Sequence, residues 1–141
     1  VCIELARKIA KDGEGATKLV EVEVKNATTK ADAEKLAKSV ISSNLVKCAV
    51  FGNDPNWGRI MCAMGNSDTN FKENKVNIFF DNEKIVNNGT MTNFNIEKIN
   101  KIMGKDNLKI IIDLNQGKEN AIAYGCDMSY DYVKINAAYT T

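Results

Sequence analysis

The stretch KVNIFFDNEKIV, residues 75–86, decides the fold class of this chain. Two apolar segments, residues 75–80 and residues 84–86, flank the turn formers Asp81-Asn82-Glu83. This pattern predicts two antiparallel strands joined as a hairpin. A hairpin excludes a wholly parallel sheet, because parallel neighbours need a crossover connection. We therefore expect an α+β fold, namely a layered α/β sandwich with a mixed, largely antiparallel sheet.

Four other segments on either side of the hairpin have the pattern of strands. Within residues 17–24, valines alternate with glutamates, which is typical of a strand with one buried face. Residues 108–114 (LKIIIDL) have the strongest strand pattern of the chain. Residues 45–51 and residues 121–124 are short and apolar enough to predict two further strands.

Helical spacing predicts helices between these strands. They cover residues 1–11, 30–42, 60–64, 95–103 and 129–136, which gives the element order αβαβαββαββα. N-cap residues mark the start of three of them, namely Thr29, Asn95 and Ser129. The first helix carries an apolar stripe made of Cys2, Leu5, Ala6 and Ile9.

The composition indicates one globular domain over residues 1–141. The hydrophobic fraction is 44% and the charged fraction 26%, which suits a chain that buries a core. The net charge is +1 and only Arg7 and Arg59 carry a guanidinium, so no nucleic-acid partner is expected. No apolar segment reaches the roughly 18 residues that cross a bilayer, so no membrane partner is expected. Because Val1 already lies in a predicted helix, we expect residues 1–15 to belong to a helix and loop of an upstream region.

The cysteine and histidine contents restrict the possible chemistry. Cys2, Cys48, Cys62 and Cys126 lie far apart without a C-x-x-C pair, which argues against a metal site. Because a chain of this size can build its own core without disulfides, we expect reduced, buried thiols in a cytoplasmic protein. The chain has no histidine, so it cannot supply a Ser-His-Asp triad, a Cys-His pair or a zinc-binding H-E-x-x-H helix. Any catalysis must use other groups.

Two segments offer polar groups for binding a ligand. Glu14 lies between Gly13 and Gly15, which leave its carboxylate uncovered for an ammonium group, although a solvated turn glutamate has the same pattern. The tail, residues 136–141, combines an amide, hydroxyls and the terminal carboxylate. A tail of this composition can line a site or simply fray.

A third polar segment surrounds Pro55. Its side chains Asp54, Asn56 and Arg59 can form an anion pocket at a helix N terminus. The alternative, which we expect, is a structural helix start with Pro55 at the first helical position and Trp57 filling a gap in the core.

These three segments together resemble one known family, the ornithine acetyltransferases or glutamate N-acetyltransferases of the arginine pathway. The matching blocks are KDGEGATK, NDPNWGRI and GCDMSYDYVKINAAYTT, at residues 11–18, 53–60 and 125–141. They occur in the family's order, and the resemblance extends over essentially the whole chain. It implies the ornithine acetyltransferase/aminopeptidase-like fold.

The resemblance also implies site residues. Glu14 matches the family's substrate-binding glutamate, while Asn136 and Thr141 match a tail asparagine and hydroxyl that contact the amino-acid substrate. An anionic glutamate suits the amine of ornithine, and an amide and a hydroxyl suit the polar groups of an amino acid. For the tail to line the site, the last helix must be docked, and we expect Val133 and Ile135 to be buried beside residues 121–124.

The family's reaction is acetyl transfer from N-acetylornithine to glutamate through an acyl-threonine. A precursor cuts itself into two chains, and the new N-terminal threonine of the β chain becomes the nucleophile, with its own α-amine as base. That threonine lies upstream of the position that matches Val1, so this sequence is similar to the C-terminal portion of the β chain and has no catalytic residue of its own. The implied reaction needs no metal or bound cofactor, although some relatives also accept acetyl-CoA as donor.

The implied partners are the α chain and the remaining β-chain segment of the same precursor, in a hetero-oligomer. The implied small-molecule partners are N-acetylornithine, ornithine and glutamate. Two alternatives stay open at this point. One is a related aminopeptidase with the same kind of N-terminal nucleophile, and the other is a module that binds an amino acid without catalysis.

Overall fold

The strands pair into one mixed sheet. The computed structural model describes residues 1–139, and its strands are β1 (Leu19–Ala27), β2 (Asn77–Phe80), β3 (Glu83–Asn87), β4 (Thr90–Met91), β5 (Asn107–Asp113) and β6 (Glu119–Cys126). Their order across the sheet is β4-β3-β2-β5-β1-β6. The β1–β5 pair is parallel, whereas β6, β2, β3 and β4 each join the sheet antiparallel to a neighbour. The predicted mixed, largely antiparallel sheet is confirmed, and β2 and β3 form the predicted hairpin.

The helices are α1 (Cys2–Lys11), α2 (Lys30–Ser42), α3 (Asn44–Phe51), α4 (Trp57–Gly65), α5 (Ile96–Met103) and α6 (Tyr130–Ala137), with a 3-10 turn at Glu73–Lys75. The side chains of Thr29, Asn95 and Ser129 each accept a hydrogen bond from a backbone N–H in the first helical turn. These predicted N-caps are therefore confirmed. Over residues 1–139, no helix has the length and apolar character needed to cross a membrane.

One face of the sheet carries the hydrophobic core. The inward valines of β1 and alternate residues of β5 are buried with the inner face of α2. The other face of β1 carries Glu21 and Glu23, whose carboxylates lie 3.0 and 2.6 Å from the Lys109 ammonium of β5. The hydrogen bond to Glu23, followed by that to Glu21, raises the pKa of Lys109. The alternation of valine and glutamate therefore separates a core face from a charged face, as predicted.

Residues 45–51 belong to helix α3, so the prediction of a strand there is wrong. The Ser43 side chain accepts a hydrogen bond from the Val46 N–H and starts the helix. The buried residues of α3 are Val46, Ala49 and Val50, at three- and four-residue spacing. A short apolar segment fits a strand or a helix equally well, and here the cap and the packing favour the helix. With the additional strand β4, the order of elements becomes αβαααβββαββα.

Helix α1 forms as predicted, but its apolar stripe faces solvent. Leu5 is 52% exposed and Ile9 is 74% exposed. The helix contacts β6 and β1, and the Arg7 guanidinium lies 6.0 Å from the centre of the Tyr124 ring of β6. The stripe is therefore not part of the core formed by residues 1–139.

The four cysteines are free, but the prediction that they are buried is wrong. Those of α1, α3 and α4 are exposed and the one that ends β6 is partly buried; they are Cys2, Cys48, Cys62 and Cys126. Cys48 and Cys62 lie on α3 and α4, where other residues occupy the buried positions. Cys2 lies on α1, which has no buried residue.

Candidate functional site

The glutamate of the KDGEGATK block lies in the loop that joins α1 to β1. Gly15 has a φ of +66°, a left-handed conformation that favours glycine. A Cβ atom at Gly15 would lie 2.6 Å from the Tyr132 nitrogen and 2.9 Å from the Asp131 carbonyl carbon. The loop therefore touches the backbone of α6, and only a residue without a side chain allows that approach. Glu14 itself is exposed.

Asn136 of α6 meets this loop. Its Nδ2 donates hydrogen bonds to Glu14 Oε2 at 3.1 Å and to the Tyr132 carbonyl one turn earlier at 2.8 Å. The structure thus brings together two predicted site residues that are 122 positions apart in the chain. A carboxylate has about four acceptor positions, so one bond to Asn136 does not saturate Glu14. The pair can bind a further donor such as an ammonium group. The third predicted residue, Thr141, lies outside the described residues.

Helix α6 is held near its N terminus by a hydrogen bond and a ring contact rather than by a buried apolar face. Val133 is 59% exposed and Ile135 is 37% exposed, so the expectation that both are buried beside β6 is wrong. The Ser129 hydroxyl donates a hydrogen bond to the Gly15 carbonyl and also caps α6. The Tyr130 ring packs edge-on against Phe51 of α3 with a centroid separation of 5.2 Å. The docking predicted for α6 therefore occurs through its first residues.

A buried carboxylate, which the sequence reasoning missed, ties the other end of the loop to the same segment. Asp127 Oδ1 accepts hydrogen bonds from the backbone N–H groups of Thr17 at 2.8 Å and Lys18 at 2.9 Å. Asp127 Oδ2 accepts a hydrogen bond from the Thr17 hydroxyl. Asp127 is only 3% exposed. The available sequence signal was an aspartate directly after a strand in the GCDMS segment, a position where a carboxylate often satisfies free backbone donors.

Lys18, the last residue of the KDGEGATK block, anchors the start of β1 in the interior. Its Nζ donates to the Val50 carbonyl at 3.1 Å, to the Met103 carbonyl at 2.6 Å, and to the Asn53 side-chain oxygen. Val50 and Met103 lie in the last turns of α3 and α5, where carbonyl groups lack helical partners. Burial lowers the pKa of Lys18, while the carboxylates of Asp127 and Asp106 oppose that shift.

Side chains of the NDPNWGRI block make structural contacts, although its helix starts differently from the prediction. Asn56, not Asp54, is the N-cap of α4 and accepts a hydrogen bond from the Arg59 N–H at 3.1 Å. The prediction that Pro55 is the first helical residue is therefore wrong, because α4 begins at Trp57. Trp57 is partly buried against the core, and the Arg59 guanidinium donates to the Leu45 carbonyl at 2.9 Å.

No group of three or more His, Cys, Asp or Glu side chains within residues 1–139 is placed to hold a metal ion. The polar groups at the junction of the loop and α6 are instead a carboxylate, an amide and backbone groups. These are groups that recognise small polar molecules by hydrogen bonds and charge.

The mixed sheet, packed with helices and closed by this loop and terminal helix, defines an α+β protein. The family model described as the ArgJ family matches residues 1–141. The chain therefore belongs to the ArgJ family.

Known members of that family are similar to this chain over nearly its whole length. It is 49% identical to the arginine biosynthesis bifunctional protein ArgJ of Oceanobacillus iheyensis, covering 100% of this chain and 35% of that protein. It is 47% identical to the glutamate N-acetyltransferase of Methanocaldococcus jannaschii, covering 100% of this chain and 37% of that protein. The chain thus spans about a third of the length of these relatives.

A solved structure shares the fold. The crystal structure of the arginine biosynthesis bifunctional protein ArgJ from Bacillus halodurans superposes with a TM-score of 0.94 at 42% sequence identity. The superposition covers 98% of this chain and 65% of that chain. The α+β layered architecture predicted from the hairpin and the three motif blocks is therefore the ArgJ fold.

Proposed function

We propose that this chain is the substrate-side part of an acetyltransferase of arginine biosynthesis, which moves an acetyl group from N-acetylornithine to glutamate. Membership of the ArgJ family and the names of its relatives support the activity. The observation that carries the site is the hydrogen bond between Asn136 and Glu14, which joins two motif blocks at the protein surface. Glu14, Asn136 and Thr141 are proposed to contact the amino-acid part of the substrate.

In the proposed reaction, this chain binds and orients the substrate, and a threonine outside it performs the chemistry. The threonine oxygen attacks the acetyl carbonyl carbon of N-acetylornithine, the C–N bond breaks, and the departing amine takes a proton to become ornithine. The amine of glutamate then attacks the acyl-threonine ester, which forms N-acetylglutamate and restores the threonine hydroxyl. No metal or bound cofactor takes part, and acetyl-CoA is a possible alternative donor. The partners are the α chain and the remaining β-chain segment, in a hetero-oligomer.

The electrostatics of the pair suit an ornithine side chain. The amine of ornithine is cationic at neutral pH, and an exposed carboxylate within reach of it forms a charge-assisted hydrogen bond. Asn136 fixes the orientation of that carboxylate through Oε2, which leaves the rest of the carboxylate to face the ligand. A hydrogen bond to a charged group contributes about 1.5–3 kcal/mol.

The test is the substitution Glu14→Gln in the complete enzyme. We expect the KM for N-acetylornithine to rise about tenfold or more, because a neutral amide cannot balance the amine's charge. The matched control is Glu73→Gln, an exposed glutamate beside β4 at the edge of the sheet opposite β6. It should leave the KM unchanged. Equal KM values for wild type and Glu14→Gln would mean that Glu14 is a turn residue and does not contact the substrate.

The same assay separates the alternative reactions. Release of free acetate or of a free N-terminal amino acid from a peptide, without acetylglutamate, would identify a hydrolase. Formation of acetylglutamate from N-acetylornithine supports the transferase. Absence of both reactions in the complete protein would leave a binding module.

A further inference from the structure

We propose that Asp127 is a positioning residue that holds Glu14 and Asn136 at hydrogen-bond distance from each other. The inference rests on the proposed function of that pair as contacts for the amino-acid substrate. Asp127 is 3% exposed, so it does not itself face a ligand. Its influence passes through the backbone of the loop before β1 and through the segment that leads into α6.

Four hydrogen bonds join Asp127 to Thr17 and Lys18. Its carboxylate accepts three hydrogen bonds, two from consecutive backbone N–H groups and one from the Thr17 hydroxyl. Its own N–H donates to the Lys18 carbonyl at 3.3 Å. Bonds from backbone N–H groups to an ionised carboxylate are among the stronger hydrogen bonds in proteins. They fix Thr17 and Lys18, the third and fourth residues after Glu14, relative to the end of β6.

A further hydrogen bond joins the loop to the same segment closer to Glu14. Ser129 is 4% exposed and donates its hydroxyl hydrogen to the Gly15 carbonyl. Residues 127 and 129 are therefore hydrogen-bonded to residues 15, 17 and 18 of the loop, which follow Glu14 in the chain. The segment that makes these contacts continues without interruption into α6, which carries Asn136.

No buried apolar face holds α6 in place. The helix has no buried residue. Its position relative to the loop is set by Ser129, by the Tyr130–Phe51 ring contact and by the Asn136–Glu14 bond itself. Removal of the Asp127 carboxylate would leave the Thr17 and Lys18 N–H groups without their acceptor. The loop would then move relative to α6, and Glu14 with it.

The first test compares Asp127→Ala with Asp127→Asn in the complete enzyme. Asparagine keeps an oxygen for the two N–H groups, and its amide can donate to the Thr17 oxygen, so it should restore the loop. We expect the KM for N-acetylornithine to rise at least tenfold in Asp127→Ala and to stay within threefold of wild type in Asp127→Asn. A residue that only stabilises the fold would lower the active fraction, and so the apparent kcat, without changing the KM.

The control for lost stability is Ile85→Ala. Ile85 is fully buried in β3, which is separated from β1 by β2 and β5. This truncation should lower the apparent kcat or the thermal midpoint while the KM stays at the wild-type value. If Asp127→Ala behaves like Ile85→Ala, the positioning role is wrong. Should Asp127→Ala fail to fold, Ser129→Ala provides the same comparison for the other contact between this segment and the loop, because it removes the hydrogen bond to the Gly15 carbonyl together with the N-cap of α6.

A double substitution distinguishes failure of this inference from failure of the proposed function. If Asp127 acts through Glu14, adding Asp127→Ala to Glu14→Gln should raise the KM little further, whereas fully additive effects would overturn the inference. If Glu14→Gln alone leaves the KM unchanged, the proposed function fails. Amide hydrogen exchange then tests, without any activity measurement, whether Asp127 holds the loop against α6. Asp127→Ala should accelerate exchange in residues 13–16 and 130–137 beyond the acceleration in Ile85→Ala, and equal exchange would overturn the positioning role.

Discussion

Replacement of Gly15 by alanine tests whether close contact between the loop and α6 is required for the site. Gly15 is in a left-handed conformation with φ +66°. The new Cβ would stand 2.6 Å from the Tyr132 nitrogen, whereas ordinary van der Waals contact begins at 3.4 Å. The atom in the way belongs to the helix backbone, which cannot rotate aside as a flexible side chain can. The loop and α6 must therefore separate by about 0.8 Å.

The cost follows from two contributions. A non-glycine residue in the left-handed region costs about 1–2 kcal/mol. Weakening the hydrogen bond from Ser129 to the Gly15 carbonyl costs a further 0.5–1.5 kcal/mol or so. We expect the unfolding free energy to fall by about 2–3 kcal/mol. Because Glu14 moves away from Asn136, we also expect kcat/KM for N-acetylornithine to fall between about tenfold and a hundredfold.

Thermal unfolding and steady-state kinetics of the complete enzyme measure both effects. The matched control is Gly65→Ala at the end of α4, where a Cβ would meet no atom within 4 Å and φ is not left-handed. It should keep wild-type kinetics and at least wild-type stability, because alanine favours a helix more than glycine does. If Gly15→Ala unfolds at the same temperature as Gly65→Ala and turns over as fast, the loop and α6 do not form the site by close contact.

Two further predictions concern the tail and a surface ion pair. Deletion of residues 139–141 should lower kcat/KM at least tenfold, because contacts that position the substrate are lost. The thermal midpoint should fall only slightly, since Tyr139 is 72% exposed. A wild-type kcat/KM, or a loss of activity fully explained by unfolding, would contradict the role of the tail. The hydrogen bond from Lys98 lowers the pKa of Glu83. The pair therefore adds to the free energy of unfolding at neutral pH, and this stabilisation is lost as the pH falls through the lowered pKa. Denaturant unfolding should therefore show Glu83→Gln less stable than wild type at pH 7 and equal to it in acid, and a difference independent of pH would contradict this assignment.

The elements that sequence patterns predicted correctly are those with a local physical cause. The alternation in β1 requires only that one face of the strand be buried, and the caps at Thr29, Asn95 and Ser129 require only a side-chain oxygen near free N–H groups. The hairpin of β2 and β3 follows from its turn residues. The strand prediction for residues 45–51 was wrong because an apolar segment of that length fits the spacing of a strand and of a helix equally well. The packing of α3 decided its conformation.

The site shows a similar division. Glu14, Asn136 and Thr141 came from motif resemblance, and local sequence alone equally allowed a solvated turn and a fraying tail. The hydrogen bond between Glu14 and Asn136 spans 122 positions, and no local pattern predicts such a contact. The roles of Asp127 and Lys18 were missed for the same reason, since the donors and acceptors they bind lie in other elements.

Sequence alone determined the class of the sheet, most of the helices, the lack of histidine in these 141 residues and the resemblance to one enzyme family. Each of these depends on residue types and on spacing within a short segment. Only the tertiary structure decided that α3 is a helix, that the apolar stripe of α1 faces solvent and that α6 docks without a buried apolar face. The physical reason is that burial and hydrogen-bond partnership depend on which segments meet. At this site the contact between the loop and α6 depends on Gly15 in its left-handed conformation and on the buried Asp127. Their effects appear only when the loop before β1 and the segment before α6 are folded against each other.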